Sequence, residues 1–202
     1  MVYAFIIHTL LPPVPKILYS CMFGSETICD IGEDSGVGIR SASKEQIVEV
    51  ALEIQSQYNF RTSVSGRSYE ANMQALQNEG TLPELELGFV RFPCGGRQSG
   101  GDGKSYGRVK TAVWLGALNC AFVLLCDAHE NRALAEHALK VLVKHLHEHC
   151  RVFHQPADVS GKMDRVALVL NQFLPGGQLL VMNHRLLRQF EKELDVKIKQ
   201  FS

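Results

Sequence analysis

No surplus charge of either sign runs through this 202-residue sequence: Lys+Arg and Asp+Glu both number 21. Nucleic-acid binding by bulk electrostatics needs a basic excess, and so does a polybasic membrane anchor, so both are excluded as expectations. A surface near neutrality does little to keep a protein apart from others, which turns attention to protein partners. Long apolar runs are also missing. None reaches the roughly 20 residues of a spanning helix. The apolar start, Met1–Leu11, has no Lys or Arg ahead of it, breaks at Pro12-Pro13 and is followed by no small-x-small cleavage site. Residue 2 is Val rather than Gly, and the end, Gln200-Phe201-Ser202, carries no prenylation Cys. The six cysteines include no C-x-x-C pair, and several sit in apolar runs, which reads as reduced thiols in a cytosolic core.

Catalytic signatures are absent too. There is no serine nucleophile elbow, no G-x-G-x-x-G between a strand and a helix, and no Cys–His pair nominated by spacing. Gly103-Lys104-Ser105 resembles the end of a phosphate-cradling loop, but position 98 is Gln where that loop needs Gly. The residues after it, Val109–Trp114, read as a strand rather than the required helix. His145 and His149 are four apart and share a helix face that can grip a metal, but no third ligand stands at usable spacing, so no metal or cofactor is expected. Asp127 and Glu130 can be read as an acid–base pair. An Asp at the end of a strand and before a helix more often caps a turn.

What is present is a clear order of elements. Met1–His8 is an apolar run suited to a strand buried on both faces, and Lys16–Phe23 to its antiparallel return. Ser43-Lys44-Glu45-Gln46 is a capping-box pattern, after which Ile47, Val50, Ala51, Ile54 and Tyr58 recur at helical spacing. Leu85–Phe92, Arg108–Leu118 and Cys120–Asp127 read as strands, with Asn119 in a tight turn. Helices follow from a cap at Asn131 to Cys150, over Met163–Leu174 up to Pro175-Gly176-Gly177, and from a cap at Asn183. Short links between strands predict an antiparallel sheet with helices packed on it: one α+β domain over residues 1–202, in the order β-β-α-β-β-β-α-α-α. Flexible loops are expected at about 24–42, 61–84, which holds a short helix around Ala71–Leu76, and 93–107, where six glycines fall.

The helices from Asn131 and Met163 carry more apolar surface than a one-sided helix needs. Apolar residues cover about half of the first helix's circumference, against a stripe not much over 100° on an ordinary surface helix. Either the helix is sandwiched inside its own fold or a second protein covers it. The second reading nominates Leu139, Leu142, Val143, Leu146, Phe173 and Leu174 as a subunit interface.

Several blocks together resemble the small (sigma) subunits of clathrin-adaptor and related coat complexes, a longin-like family, and within it those of the fifth adaptor-protein complex. They are Met1–Leu10 with Ile17–Cys21, Thr111–Gly116, Asp127–Asn131, Phe173–Leu180 and Leu186 with Glu191–Glu193, somewhat over half the chain. The resemblance implies a longin-like, five-stranded antiparallel sheet flanked by helices and a non-enzymatic role in endosomal vesicle transport. It implies nesting against a zeta-type large subunit within a tetramer with beta and mu subunits. It also implies work with spatacsin and spastizin, and a peripheral place, through the complex, on the cytoplasmic face of late endosomes and lysosomes. In some sigma subunits a hydrophobic pocket takes acidic dileucine sorting signals. The matching positions here are Leu118, Cys120, Val143, Val152 and Phe153, while the basic residue that holds the signal's acidic group has only Lys16 nearby. Two other readings stand beside this one: another longin-type trafficking module, SNARE-like or a GTPase-regulator subunit, and a metal-dependent enzyme built on the histidines.

Overall fold

A computed structural model describes residues 1–23, 36–66, 73, 74, 76, 82–94 and 108–200, without the side chains of 36–43, 93, 94 and 108. The two hydrophobic opening runs pair as β1 (Val2–Thr9) and β2 (Ile17–Met22), antiparallel. After helix α1 (Gly36–Ser65) come β3 (Glu86–Cys94), β4 (Arg108–Ala117) and β5 (Cys120–Asp127). The five strands form one antiparallel sheet in the order β2-β1-β5-β4-β3. Then follow α2 (Arg132–Cys150), a 3-10 segment (Pro156–Lys162), α3 (Met163–Phe173), a 3-10 turn (Pro175–Gly177) and α4 (His184–Gln200). This is the expected α+β, longin-like arrangement.

Two-residue alternation along the strands divides the core. Ala4, Ile6, Ala112, Trp114, Ala121, Val123 and Leu125 point to one face, where Ile47, Val50 and Ile54 of α1 close over them. Phe5, Ile7, Val113, Leu115, Phe122 and Leu124 point to the other, beneath α2. On that side α3 packs on α2 and α4 packs on α3, with Glu191 of α4 reaching Lys144 and His145 of α2. β5, in the middle of the sheet, is buried on both faces through its first seven residues, which explains its unbroken apolar run. β4 and β5 are joined by a two-residue turn at Leu118-Asn119, with Leu118 at φ 54°.

The caps behave as their side chains dictate. Asn131 Oδ1 accepts from the Leu134 amide at 3.1 Å, and Asn183 Oδ1 from the Leu186 amide at 2.9 Å. At Pro175–Gly177 the chain leaves α3 with Gly176 at φ 57° and Gly177 at φ 75°. A Cβ on Gly177 would lie 2.5 Å from both the Val2 carbonyl oxygen and Phe23 Cβ, so this turn seats directly on the edge of β1.

α1 departs from expectation at both ends. It begins at Gly36, so the 36–42 stretch expected as loop is helical and the Ser43 capping box lies within the helix. A Ser with Gln three residues on permits a helix start without requiring one. It also continues to Ser65, five residues into the loop expected from Arg61. There the Arg61 guanidinium donates to the Leu87 carbonyl and lies 5.3 Å from the Trp114 ring centroid, tying the last turns to the sheet. Residues 73, 74 and 76 are helical, and Leu76 is buried against the α2 side of the core. The glycine-rich stretch from 95 to 107 lies outside the described residues.

Candidate functional site

The six residues nominated as a subunit interface are all inside the chain's own core. Leu139, Leu142, Val143, Leu146, Phe173 and Leu174 are each 0% exposed. The buried positions of α2 run from Val141 round through Leu142, Leu139 and Val143 to His147, roughly 240° of the helical wheel at about 100° per residue. The sheet covers one side of that arc, and α3, α4 and the 3-10 segment cover the rest. The wide apolar face is therefore the mark of a middle layer, and of the two readings the sandwich is the one observed.

The five positions matched to a sorting-signal pocket are brought together but closed. Leu118, Cys120, Val143, Val152 and Phe153 belong to one cluster, and none is more than 6% exposed. Phe153 packs edge-on against Phe122 at 5.5 Å between ring centroids. An open cleft of about 470 Å³ lies beside them, and its described walls are Leu76, Leu82, Lys144, His147, Glu148, Arg151 and His154. Those walls are largely basic and polar, unlike the apolar socket expected. Lys16 is exposed, on the turn where its amide donates to Thr9 Oγ1.

The remaining chemical candidates resolve into structure. Asp127 accepts from the Tyr3 hydroxyl at 3.2 Å and from the His129 amide at 3.4 Å, while Glu130 pairs with the Met1 α-amino group. Both carboxylates thus close the β5–α2 corner. Burial pushes the Cys126 thiol up to about 12 and drives the Cys120 thiol upward as well, so neither is a nucleophile at neutral pH. Around His145 and His149 the structure does supply the third ligand-type group that spacing had not suggested: Glu148, three residues after His145 and on the same helix face.

Exposed apolar side chains gather on α1 instead. Leu52, Phe60 and Val64 are 42%, 70% and 72% exposed; Leu52 and Phe60 lie on the side of the helix away from Ile47, Val50 and Ile54, and Val64 on the flank beside Phe60. Leu11 and Val14 extend the surface on the β1–β2 turn, which Gln55 of α1 holds by donating to the Leu10 and Leu11 carbonyls at 3.2 and 2.8 Å. Sequence reading missed this face because its apolar positions are spaced eight and four apart and are interleaved with Glu49 and Glu53. No helix among the described residues is long and apolar enough to cross a membrane.

A family model described as AP-5 complex subunit sigma-1 matches residues 1–195. The human protein named AP-5 complex subunit sigma-1 is 34% identical over 201 residues, covering 96% of each chain. The mouse protein of the same name is 32% identical over 160 residues, covering 75% of this chain and 89% of its own.

Proposed function

Because the chain belongs to the AP-5 complex subunit sigma-1 family, we propose that it is a non-enzymatic small subunit of a heterotetrameric adaptor coat. In that role it stabilises the trunk of a zeta-type large subunit, beside beta and mu subunits. The coat works in vesicle-mediated endosomal and late-endosomal protein transport, with spatacsin and spastizin. The subunit reaches late endosome and lysosome membranes from the cytoplasm, peripherally and only through the complex.

The observation that carries the docking part is the outer face of α1. Phe60 and Val64, about 70% exposed one turn apart, leave apolar surface in water that a lone globule gains nothing by showing. The interface is accordingly assigned to α1 and the β1–β2 turn, with the α2 and α3 residues serving as the core that holds the sheet behind it. A sorting-signal role at Leu118, Cys120, Val143, Val152 and Phe153 requires that closed cluster to open, so the reading places this chain in assembly before cargo capture.

Co-expression with the trunk of a zeta-type subunit tests the assignment. The two chains are expected to co-purify in equal amounts, and a double substitution Phe60→Asp, Val64→Asp is expected to separate them while each stays folded. Failure of the unaltered chain to co-purify rejects the function. Retention of the double variant rejects the interface alone.

A further inference from the structure

Two pairs of ligand-type side chains face each other where α4 crosses α2. His145 and His149 are four apart on α2, and Glu191 and Asp195 are four apart on α4. That spacing sets each pair on one side of its helix, one turn apart. His145 Nε2 lies 3.6 Å from Glu191 Oε1, and His149 Nε2 lies 4.0 Å from Asp195 Oδ1. On α2 itself, ligand atoms of His145, Glu148 and His149 all lie within 4.8 Å of one another.

His145 is the informative member. It is 2% exposed, and its Nε2 is buried without a hydrogen-bond partner. Leaving such a buried group unsatisfied is destabilising. Its ring is nonetheless fixed in place, stacked on Phe173 at 4.5 Å and 3°. Its Nδ1 lies 3.0 Å from Glu148 Oε2. A carboxylate only accepts, so Nδ1 carries a proton; in the neutral ring the lone pair is then on Nε2, on the side of Glu191 of α4. A carboxylate that orients a histidine while the other nitrogen offers its lone pair is the arrangement found around bound zinc.

We propose that His145 Nε2, His149 Nε2 and the carboxylates of Glu191 and Asp195 form a zinc site, with Glu148 as the residue that orients His145. Two neutral imidazoles and two carboxylates balance a divalent ion, and zinc accepts four such ligands tetrahedrally at about 2.0–2.2 Å. His145 and His149 already stand in one cluster, and the two carboxylates join it by side-chain rotation, since Glu191 is about a third exposed and Asp195 is mostly exposed. The bound ion joins helices 46 residues apart and pins α4 over Phe173. Lys144 stands in its way: its Nζ is 3.1 Å from Glu191 Oε1 and 3.8 Å from Glu148 Oε1, holding the place of the cation when zinc is absent.

Zinc added to chelator-treated full-length protein tests this, with stoichiometry from elemental analysis, affinity from competition with a chromophoric chelator, and the unfolding temperature. One zinc per chain and a raised unfolding temperature are expected. His149→Ala, or Glu191→Gln on the more exposed partner helix, is expected to weaken affinity about ten-fold or more. Lys144→Met is expected to tighten it, an effect no loss of packing imitates. Cobalt in place of zinc is expected to give the visible absorption of a tetrahedral site. The proposal is overturned by less than stoichiometric binding, by unchanged affinity in both Glu191→Gln and His149→Ala, or by weaker binding in Lys144→Met.

Discussion

The indole of Trp114 occupies the space that a side chain on Gly88 would need. The two residues are directly opposed across β3 and β4, and a Cβ at position 88 would fall inside contact distance of Trp114 Cε2, Cζ2 and Nε1. Trp114 is 0% exposed, with Tyr58 edge-on to it at 6.3 Å and Arg61 over its face. Gly88→Ala therefore forces the ring against α1. Such overpacking costs about 1–3 kcal/mol. Because the chain has a single tryptophan, the shift is read directly in its emission spectrum alongside the denaturation midpoint. A variant with unchanged midpoint and emission would contradict the packing.

The two glycines of the turn after α3 should respond differently to substitution. Gly176 has φ 57° and open space around its Cβ position, whereas Gly177 has φ 75° and would meet Val2 and Phe23 at 2.5 Å. Gly176→Ala is expected to cost about 1–2 kcal/mol, the left-handed penalty alone. Gly177→Ala adds a clash with backbone and is expected to cost clearly more. Equal losses in thermal denaturation would disprove the distinction.

Core and docking face should separate in experiment. Leu142, fully buried between sheet and outer helices, is expected to lose about 2–5 kcal/mol of stability on replacement by Ala. Phe60→Ser is expected to leave the unfolding temperature close to that of the parent, because its side chain is largely in water, and to reduce capture by the large subunit. Thermal denaturation of the lone chain beside co-purification yields reads both.

Stability should fall as the medium is acidified through the histidine range. Burial lowers the His8 pKa from its ordinary 6.5 to about 4, and its Nδ1 donates to the Thr9 carbonyl at 2.9 Å. Between those values the unfolded chain binds a proton that the folded chain refuses, so stability is full above about 6.5 and declines as pH drops toward 4. The loss attributable to this one residue is about 3 kcal/mol. Burial holds His147 and His149 down as well, which adds to the slope in the same direction. His8→Phe is expected to flatten the curve of stability against pH in that window. An unaltered slope would refute the assignment.

How far the sequence could be read depended on whether the deciding contact was local. Cys120–Asp127 is a strand at the residues expected because a sheet's middle strand is apolar on both faces. Asn131 and Asn183 announce their helices because a cap acts within three residues. The start of α1 was hidden because Gly36–Ala42 has no apolar period, and its end because Arg61 is anchored by a carbonyl 26 residues away. The 3-10 segment Pro156–Lys162 has no period either. The apolar breadth of α2 was visible, but it states only how much surface must leave water. Which element covers it depends on α3 and α4 folding back, a long-range fact. The same holds for His145, whose neighbours Phe173 and Glu191 are 28 and 46 positions distant.

A long helix clothed on every greasy side by its own chain needs no chaperoning partner to stay out of water. For α2, burial is complete before any other protein arrives, so whatever docks on this chain adds to a finished layer rather than completing one.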